Sequence, residues 1–378
     1  MPLAPDRDAS QASRTPEEDC PTECPACAHR GLEPARSLAA KKAWLQRSLA
    51  PWAAVLEDIQ ALPAARWTGY RDRVALSVRW QDGGWRYGVW RRDRLVPIPR
   101  CPVHSPRVRR VLAAVAGALP APPAVRWAFH VQAGAQAALV LKQDREPPLD
   151  WLHAHLGRRL AAAGLEGLWL NLHPAAGRRL FAKRGWRLVW GQARSVDHGL
   201  QHGPAAFMQA TPGLAARALD RACGFLEPGP DAAVVDLYCG LGAGLQRWTA
   251  AGARTLGVEI GGEAVECARV NAPGALLLRG ACAARLPQVD AWLRECPDRR
   301  LLYVNPPRTG LEPAVCAWIG ASMRPARMAY LSCSAGTLAR DLARLERAGY
   351  RVQALCPFDF FPRTYHVEVL ALLARAAP

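Results

Sequence analysis

The sequence contains no long hydrophobic run. Its 378 residues include no stretch of about eighteen consecutive apolar residues, the minimum for a membrane-spanning helix. The first thirty residues are polar and acidic, without the apolar segment of a secretory signal. We therefore expect neither a membrane span nor secretion, and we predict a cytoplasmic protein.

Lysine is also rare. The lysines are Lys41, Lys42, Lys142 and Lys183, so nearly all of the 49 basic residues are arginine. With 32 acidic residues, the formal net charge is +17 and the pI is about 9.9. This excess favours a polyanionic partner such as a nucleic acid, although a coding bias toward Ala, Arg and Pro would give a similar composition.

Cysteine, by contrast, is frequent. In a reducing compartment, twelve cysteines indicate burial of most and metal binding or catalysis by a few, not a disulfide framework. Cys20, Cys24 and Cys27 follow C-x3-C-x2-C spacing among prolines, which suits a loop around a cluster, and Cys101 is the candidate fourth ligand. Four thiols suit a [4Fe-4S] cluster or a tetrahedral zinc ion, and spacing does not separate the two.

The C-x3-C-x2-C spacing is also typical of radical S-adenosylmethionine enzymes, whose cluster has no fourth protein ligand. Against that reading, no series of alternating strands and helices follows the motif to form the barrel of those enzymes. A structural or RNA-positioning cluster is the preferred hypothesis, and the radical enzyme stays open as the alternative.

Composition divides the chain into four parts. With 50% apolar residues the chain can form two cores. Residues 1–17 are polar and predicted to be a disordered tail. The cysteine-bearing region is predicted over 18–106, a central α+β domain over 107–195, and a nucleotide-binding α/β domain over 196–378.

Residues 66–98 alternate in a strand pattern around a turn at Gly83 and Gly84. Arginine and aromatic residues are concentrated in the second half of this hairpin. They either face RNA or form one buried and one solvated face of an ordinary hairpin. These residues are Trp85, Arg86, Tyr87, Trp90, Arg91 and Arg92.

A nucleotide-binding pattern begins at residue 232. An apolar strand runs into DLYCGLGAGL, in which Asp236 ends the strand and Tyr238 and Gly240 lie in a glycine-rich turn. Glu259 ends the next apolar strand, where a carboxylate can bind both hydroxyls of a ribose. The pattern predicts a Rossmann-like α/β fold, but the G-x-G-x-x-G of nicotinamide dehydrogenases is absent.

Cys333 stands between a predicted strand and a helix, in the segment YLSCSAGTLARDL. A thiol just before a helix N-terminus is close to the positive end of the helix dipole, which favours the thiolate. The position therefore suits a sulfur nucleophile, whereas a lone cysteine is more often a small buried apolar residue.

This segment resembles the Y-x-S-C-N-x-x-T-x-A-x-D motif of the RNA uracil-C5 methyltransferases, and FPRTYHVE resembles their closing F-P-x-T-x-H-x-E. The resemblance implies that Cys333 is the nucleophile and Glu368 the base. A thiolate that adds to C6 of uracil makes C5 nucleophilic, and a carboxylate must then remove the C5 proton. Ser334 replaces the commoner asparagine, which puts its contact with the uracil in doubt.

The same resemblance extends to the methyl donor. AFMQATP resembles the family's F-F-Q-x-N-P and assigns Gln209 to S-adenosylmethionine, together with Asp236, Tyr238, Gly240 and Glu259. The family has a class I methyltransferase fold, with a sheet of the seven-strand type. Asn305, also predicted to bind this cofactor, opens N-P-P-R, in which Arg308 stands where amine methyltransferases have an aromatic residue.

Two features of the resemblance favour 23S ribosomal RNA as the substrate. Asn305 and the four cysteines are associated with a subfamily that acts on this RNA and lacks a small oligonucleotide-binding barrel, for which there is no room before Cys20. The tRNA-acting relatives lack the cluster. We expect no DNA partner, and the other hypotheses are a tRNA methyltransferase and a non-catalytic RNA-binding ribosome assembly factor.

Overall fold

The computed structural model describes residues 19–177 and 179–376, so the predicted tail of residues 1–17 lies outside the described residues. The chain forms two compact units. Unit 1 contains residues up to Arg30 and Ala65–Gln192, and unit 2 contains Gly31–Ala64 and the chain from Ala193 onward. No helix in the described ranges is long and apolar enough to cross a membrane.

The described α-helices are α1 Pro34–Ser48, α2 Pro106–Ala116, α3 Ala154–Ala162, α4 Pro212–Leu226, α5 Ala243–Ala250, α6 Gly262–Asn271, α7 Cys282–Leu293, α8 Pro313–Trp318 and α9 Ala335–Arg347. The described strands are β1 Arg73–Gln81, β2 Gly84–Arg91, β3 Arg94–Pro97, β4 Trp127–Ala133, β5 Gln136–Leu141, β6 Gly167–Leu172, β7 Trp186–Gly191, β8 Ser195–Asp197, β9 Leu200–His202, β10 Ala232–Leu237, β11 Arg254–Glu259, β12 Leu276–Arg279, β13 Arg299–Val304, β14 Arg327–Ser332, β15 Tyr350–Phe358 and β16 Glu368–Arg375.

Unit 1 is built on a seven-stranded sheet in the order β3-β2-β1-β4-β5-β6-β7. The predicted hairpin is confirmed, because β1 and β2 pair antiparallel around a turn at Asp82 and Gly83. Strand β1 alternates, with Val74, Leu76 and Val78 buried and its other face more exposed. Helices α2 and α3 cover the buried face with apolar residues.

The predicted boundary between residues 106 and 107 does not separate two sheets. Strand β1 pairs antiparallel with β4, so residues before and after that boundary share one sheet. Residues 31–64 also depart from the predicted division, because Leu45 and Leu49 are fully buried in the same apolar cluster as Leu338 of α9. Long-range packing, which composition does not reveal, groups α1 with unit 2.

Unit 2 contains a second seven-stranded sheet in the order β12-β11-β10-β13-β14-β16-β15. Its first five strands are parallel, and β16 pairs antiparallel with β14 and β15. All six residues of β10 are buried, as expected of a central strand covered on both faces. Apolar clusters lie on each side of the sheet, one with α1, α7, α8 and α9 and the other with α4, α5 and α6. This is the predicted α/β fold, and such sheets bind ligands at the carboxyl ends of their strands.

Candidate active site

Cys333 and Glu368 are brought together by the pairing of β14 with β16. In this antiparallel pair Ser332 lies opposite Val369. Cys333, which follows Ser332, therefore lies beside Glu368, which precedes Val369. The negative charge of Glu368 accordingly contributes to the raised pKa of the Cys333 thiol. The structure thus brings the two predicted catalytic residues together at the carboxyl end of β14, beside the start of β16.

The helix beyond Cys333 begins with Ser334 as its N-cap. The Ser334 hydroxyl accepts a hydrogen bond from the Thr337 backbone N–H at 3.4 Å and lies 3.0 Å from the Thr337 hydroxyl. The serine that departs from the family pattern therefore stabilises the start of α9.

The surroundings of Cys333 in the fold oppose the thiolate that the helix N-terminus was expected to favour. Burial, and next the charge of Glu368, raise the pKa of the Cys333 thiol above its ordinary value. The Arg308 side chain lowers this pKa by its charge and by a hydrogen bond, but less than burial raises it.

Glu368 is held at the start of β16 and is only 5% exposed. The Gln209 side-chain amide donates a hydrogen bond to Glu368 Oε2 at 3.3 Å. Burial raises the pKa of Glu368 to about 7, although the Gln209 hydrogen bond and the Arg308 charge lower it. A carboxylate with this pKa is matched to proton abstraction near neutral pH.

Arg308 is the charged residue that acts on both predicted catalytic groups. Its backbone carbonyl accepts a hydrogen bond from the Thr337 hydroxyl at 3.0 Å, which ties the segment after β13 to α9. Its positive charge lowers the pKa of both Cys333 and Glu368. Sequence analysis noted Arg308 only as a missing aromatic residue, and its position in N-P-P-R beside the strand end was the available signal.

Asp236 lies at the end of β10 and is almost fully buried. Its Oδ2 accepts a hydrogen bond from the Trp248 indole N–H at 3.1 Å, while burial and the charge of Glu259 raise the pKa of Asp236 to about 8. A Cβ on Gly244 would lie 2.4 Å from Oδ2, so this close approach requires glycine.

Glu259 is fixed at the end of β11 by the glycine-rich turn. Its Oε2 accepts the Gly240 backbone N–H at 3.1 Å, and its Oε1 accepts the Gly261 N–H at 2.6 Å. Gly240 has a φ of +55°, a conformation that glycine adopts without strain. Asn305 follows β13, and its backbone N–H donates to the Leu237 carbonyl at 3.4 Å, which places it beside the end of β10.

Two polar atoms of the predicted donor site are buried without a partner among the described residues. These are Asp236 Oδ1 and Gln209 Oε1. Such atoms cost free energy unless a ligand satisfies them. Since S-adenosylmethionine carries an ammonium group, a carboxylate, ribose hydroxyls and an adenine, the residues present fit it.

The aromatic residues before Glu368 have different environments. Phe360 is fully buried and stacks on Phe358 with ring centroids 5.7 Å apart, so it is a core residue. Tyr365, in contrast, is 61% exposed. Phe361 is partly buried against the core, so Tyr365 is the one of these three aromatic residues that could stack on a base from solvent.

The cysteines of unit 1 are neighbours but do not form a ligand set. Burial raises the pKa of Cys24 and Cys101, and the Cys20 thiol adds to both effects. Cys27 is partly exposed on the same loop. Within residues 19–177 and 179–376, however, no three or more Cys, His, Asp or Glu side chains are grouped so as to hold a metal ion. The predicted cluster is therefore not supported by the described geometry.

Sequence analysis missed a buried ion pair in the segment that leads to Glu368. Lys41 Nζ of α1 lies 2.6 Å from Asp359 Oδ1, and both side chains are fully buried. Lys41 also donates to the Phe361 carbonyl at 3.3 Å. Because 318 residues separate the two charges, no local signal could have paired them.

Known proteins similar to this chain have RNA methyltransferase names. A family model described as tRNA (uracil-5-)-methyltransferase matches residues 289–376. The 23S rRNA (uracil(1939)-C(5))-methyltransferase RlmD of Pseudomonas aeruginosa is 30% identical over 369 residues, covering 92% of this chain and 78% of that protein. An uncharacterized RNA methyltransferase of Thermosynechococcus vestitus is 30% identical over 376 residues, covering 93% and 82%.

A solved structure shows a similar fold. The Pyrococcus abyssi tRNA (uracil-54, C5)-methyltransferase in complex with S-adenosyl-L-homocysteine aligns with a TM-score of 0.69 and 20% identity, covering 93% of this chain and 86% of that one. This chain covers most of the length of both relatives that are 30% identical to it. The residues matched by the family model include Cys333 and Glu368. This chain therefore belongs to the RNA uracil-C5 methyltransferase family and is an RNA (uracil-5)-methyltransferase.

Proposed function

We propose that this enzyme methylates C5 of a uridine in 23S ribosomal RNA through a transient bond between Cys333 and C6. The observation that carries the proposal is that Cys333, at the end of β14, lies beside Glu368, at the start of β16. The reaction needs a sulfur nucleophile and a carboxylate base on one ring, and these two groups meet that need.

The proposed donor is S-adenosylmethionine, which supplies an electrophilic methyl group. Asp236 would accept from its amino-acid end, and Glu259 would face the ribose from the end of β11. Gln209 and Tyr238 offer the further buried polar atoms. Asn305 borders the same strand ends.

The proposed reaction begins and ends with the Cys333 thiolate. The Cys333 thiolate attacks C6, forms an S–C6 bond and moves the electron pair of the C5–C6 double bond toward O4 as an enolate. C5 would then bond to the methyl carbon while the bond from that carbon to the donor's sulfur breaks, with its electron pair kept by the leaving S-adenosylhomocysteine. Glu368 removes the C5 proton, the pair from that C–H bond restores the double bond, and the S–C6 bond breaks to return its pair to sulfur. Arg308, which stabilises the negative form of the thiol, favours the first step.

Ribosomal RNA is preferred as substrate because the named relatives of Pseudomonas aeruginosa and Thiobacillus denitrificans act on 23S rRNA. Asn305 and the cysteines favour the subfamily without an oligonucleotide-binding barrel, the RlmC type. We propose a cytoplasmic enzyme without a DNA partner. A tRNA substrate is the second candidate, since the family model and the Pyrococcus abyssi structure carry tRNA in their names.

Tritium release tests the proposal. Unmodified 23S rRNA and tRNA transcripts that contain 5-[3H]-uridine are incubated with enzyme and S-adenosylmethionine, and 5-methyluridine is mapped by mass spectrometry. The 23S transcript should release tritium, and Cys333→Ala should abolish release while Cys296→Ala does not. Release from tRNA alone would reassign the substrate. Ordinary turnover in Cys333→Ala would favour the radical alternative, and no release from either RNA would favour an assembly factor.

We also propose that Cys20, Cys24, Cys27 and Cys101 ligate a [4Fe-4S] cluster. Cys20 and Cys24 both contribute to the raised pKa of Cys101, so these thiols lie near one another. An ion pair between Arg100 and Asp19 at 3.2 Å links the segment of Cys101 to that of Cys20. The thiols would have to close on the cluster, because the described side chains are not grouped as ligands.

Metal analysis of anaerobically purified protein tests the cluster. Equal amounts of iron and sulfide, with a broad visible absorbance, are expected in the unaltered chain and in the control Cys223→Ser. Cys24→Ser should lose both. Stoichiometric zinc in a colourless protein would assign the zinc alternative, and a metal-free protein would remove the proposal.

A further inference from the structure

The outer part of the β1–β2–β3 hairpin carries a dense group of arginines, which we call the arginine patch. It consists of Arg79, Arg86, Arg91, Arg92 and Arg94, and the partly exposed Trp90 lies on the same strands. All of these residues except Arg86 line a surface cavity of about 710 Å³. The patch lies wholly within unit 1 and shares no residue with the site around Cys333.

The arrangement of these charges is unfavourable without an anionic partner. Arg79 lies directly opposite Arg86 in the β1–β2 ladder, and Arg91 lies opposite Arg94 in the β2–β3 ladder. Like charges directly opposite each other in a sheet destabilise it. Within the described ranges, the ion pair formed by this group is that of Arg94 with Glu23 at 3.9 Å, and Asp93 lines the same cavity. The five arginines outnumber these two carboxylates, so the patch keeps an excess of positive charge.

Trp90 adds a feature that suits a nucleobase. Its ring is 40% exposed, and the Arg79 guanidinium lies over it, 5.3 Å from the ring centroid. An exposed aromatic ring among arginines binds single-stranded nucleic acid by combining stacking on a base with attraction to phosphates. A base within a duplex is already stacked and could not use this ring.

We propose that the arginine patch and Trp90 bind a single-stranded segment of the substrate RNA, with phosphates on the arginines and one base on Trp90. This inference rests on the proposed function for its ligand class, because an RNA (uracil-5)-methyltransferase must hold its polynucleotide. It assigns that task to residues outside the catalytic site, which sequence analysis could not distinguish from an ordinary hairpin.

Fluorescence anisotropy with a labelled oligouridylate, over a range of KCl concentrations, tests the patch. The triple variant Arg79→Gln, Arg91→Gln and Arg92→Gln should lower affinity at least about tenfold and reduce the slope of log affinity against log salt by about 2, as expected for three lost phosphate contacts. Trp90→Ala should lower affinity about tenfold with an unchanged slope.

The matched control is Arg145→Gln, Arg158→Gln and Arg159→Gln, which removes the same charge from exposed positions elsewhere in unit 1. Circular dichroism during heating shows whether each variant is folded. Affinity and slope in the patch variants equal to those of the control would overturn the inference. So would unaltered RNA binding combined with lost binding to phosphatidylglycerol vesicles.

Measurements of methylation activity test the arginine patch separately from the proposed function. On 23S transcript, patch variants should show a raised KM and an unchanged kcat, because the groups around Cys333 are untouched. If the unaltered enzyme methylates RNA but patch variants show the control's KM, the patch inference fails and the proposed function stands. If the unaltered enzyme does not methylate RNA, while only patch variants lose oligouridylate binding, the proposed function fails and the patch remains an RNA site.

Discussion

Burial raises the pKa of the Glu368 carboxyl, and this shift lowers the stability of the folded chain at neutral pH. The pKa of its carboxyl is raised to about 7 from an ordinary value of 4.5, so the folded chain binds this proton more tightly than the unfolded chain does. The associated stability is present below pH 4.5 and is lost as the pH rises through 7. Above that range the folded protein holds a buried carboxylate that is also the proposed base.

A neutral amide at this position should therefore be increasingly stabilising as the pH rises. Relative to the unaltered chain, the free energy of unfolding of Glu368→Gln should increase between pH 4.5 and pH 8 by up to roughly 3 kcal/mol. Urea denaturation at both pH values measures the difference. A difference that does not change with pH would show that Glu368 titrates normally.

The same variant should trap the reaction before its last step. Methyl transfer needs Cys333 but not the carboxylate, so Glu368→Gln should accumulate a covalent complex with RNA that resists denaturing electrophoresis. The double variant with Cys333→Ala should form no complex. Normal turnover by Glu368→Gln would remove this residue from the mechanism.

Arg308 should control how readily Cys333 ionises. Its charge and hydrogen bond lower the thiol pKa, so Arg308→Gln should slow alkylation of Cys333 by iodoacetamide at pH 8, roughly tenfold if the thiol pKa rises by one unit. Arg308→Lys should recover part of the rate, since a cation remains. Mass spectrometry of the Cys333 peptide measures the alkylation rate. Equal rates in the unaltered chain, Arg308→Gln and Arg308→Lys would contradict this role of Arg308.

At the scale of elements, α1 supports the loop that precedes β16. Lys41 on this helix pairs with Asp359 in full burial, and the same ammonium group holds the Phe361 carbonyl. Burial lowers the pKa of Lys41, whereas Asp359 raises it. The loop between β15 and Glu368 is thus fixed by a charge from the opposite end of the chain.

Breaking this pair should be costly. Lys41→Met should lower the free energy of unfolding by about 3–5 kcal/mol, because a buried carboxylate loses its cation. Its neighbour Lys42 forms an exposed pair with Asp58, so Lys42→Met is the control and should change stability little. The double variant Lys41→Met and Asp359→Leu should recover most of the loss, as judged by urea denaturation. Equal stability of the two single variants would refute the role of the pair.

The elements also show what the sequence could and could not predict. Asp236 and Glu259 were predictable because each ends an apolar strand before a turn or helix, and this local pattern fixes the strand ends of an α/β sheet. The contact of Gln209 with Glu368, and that of Lys41 with Asp359, depend on which distant segments pack together. The raised pKa of Cys333 was not predictable for the same reason, because it arises from burial in the fold and from the charge of Glu368, which is distant in sequence.

At the scale of the whole molecule, all residues of the proposed donor site belong to unit 2. At one hundred times its dissociation constant, S-adenosylhomocysteine should stabilise the protein by about 2.7 kcal/mol. Hydrogen exchange should therefore slow around residues 232–262 and remain unchanged over β1–β3. Asp236→Asn is the control expected to weaken both effects, and protection confined to unit 1 would contradict the assignment of the donor site.

Unit 2 is interrupted in the chain by most of unit 1, and this has a consequence for biosynthesis. Lys41 leaves the ribosome 318 residues before Asp359. At about 5–20 residues per second that interval is roughly 15–60 s, during which α1 lacks its partner. The nascent chain must therefore keep α1 soluble until Asp359 has been made, and a fragment that starts at residue 196 would lack α1.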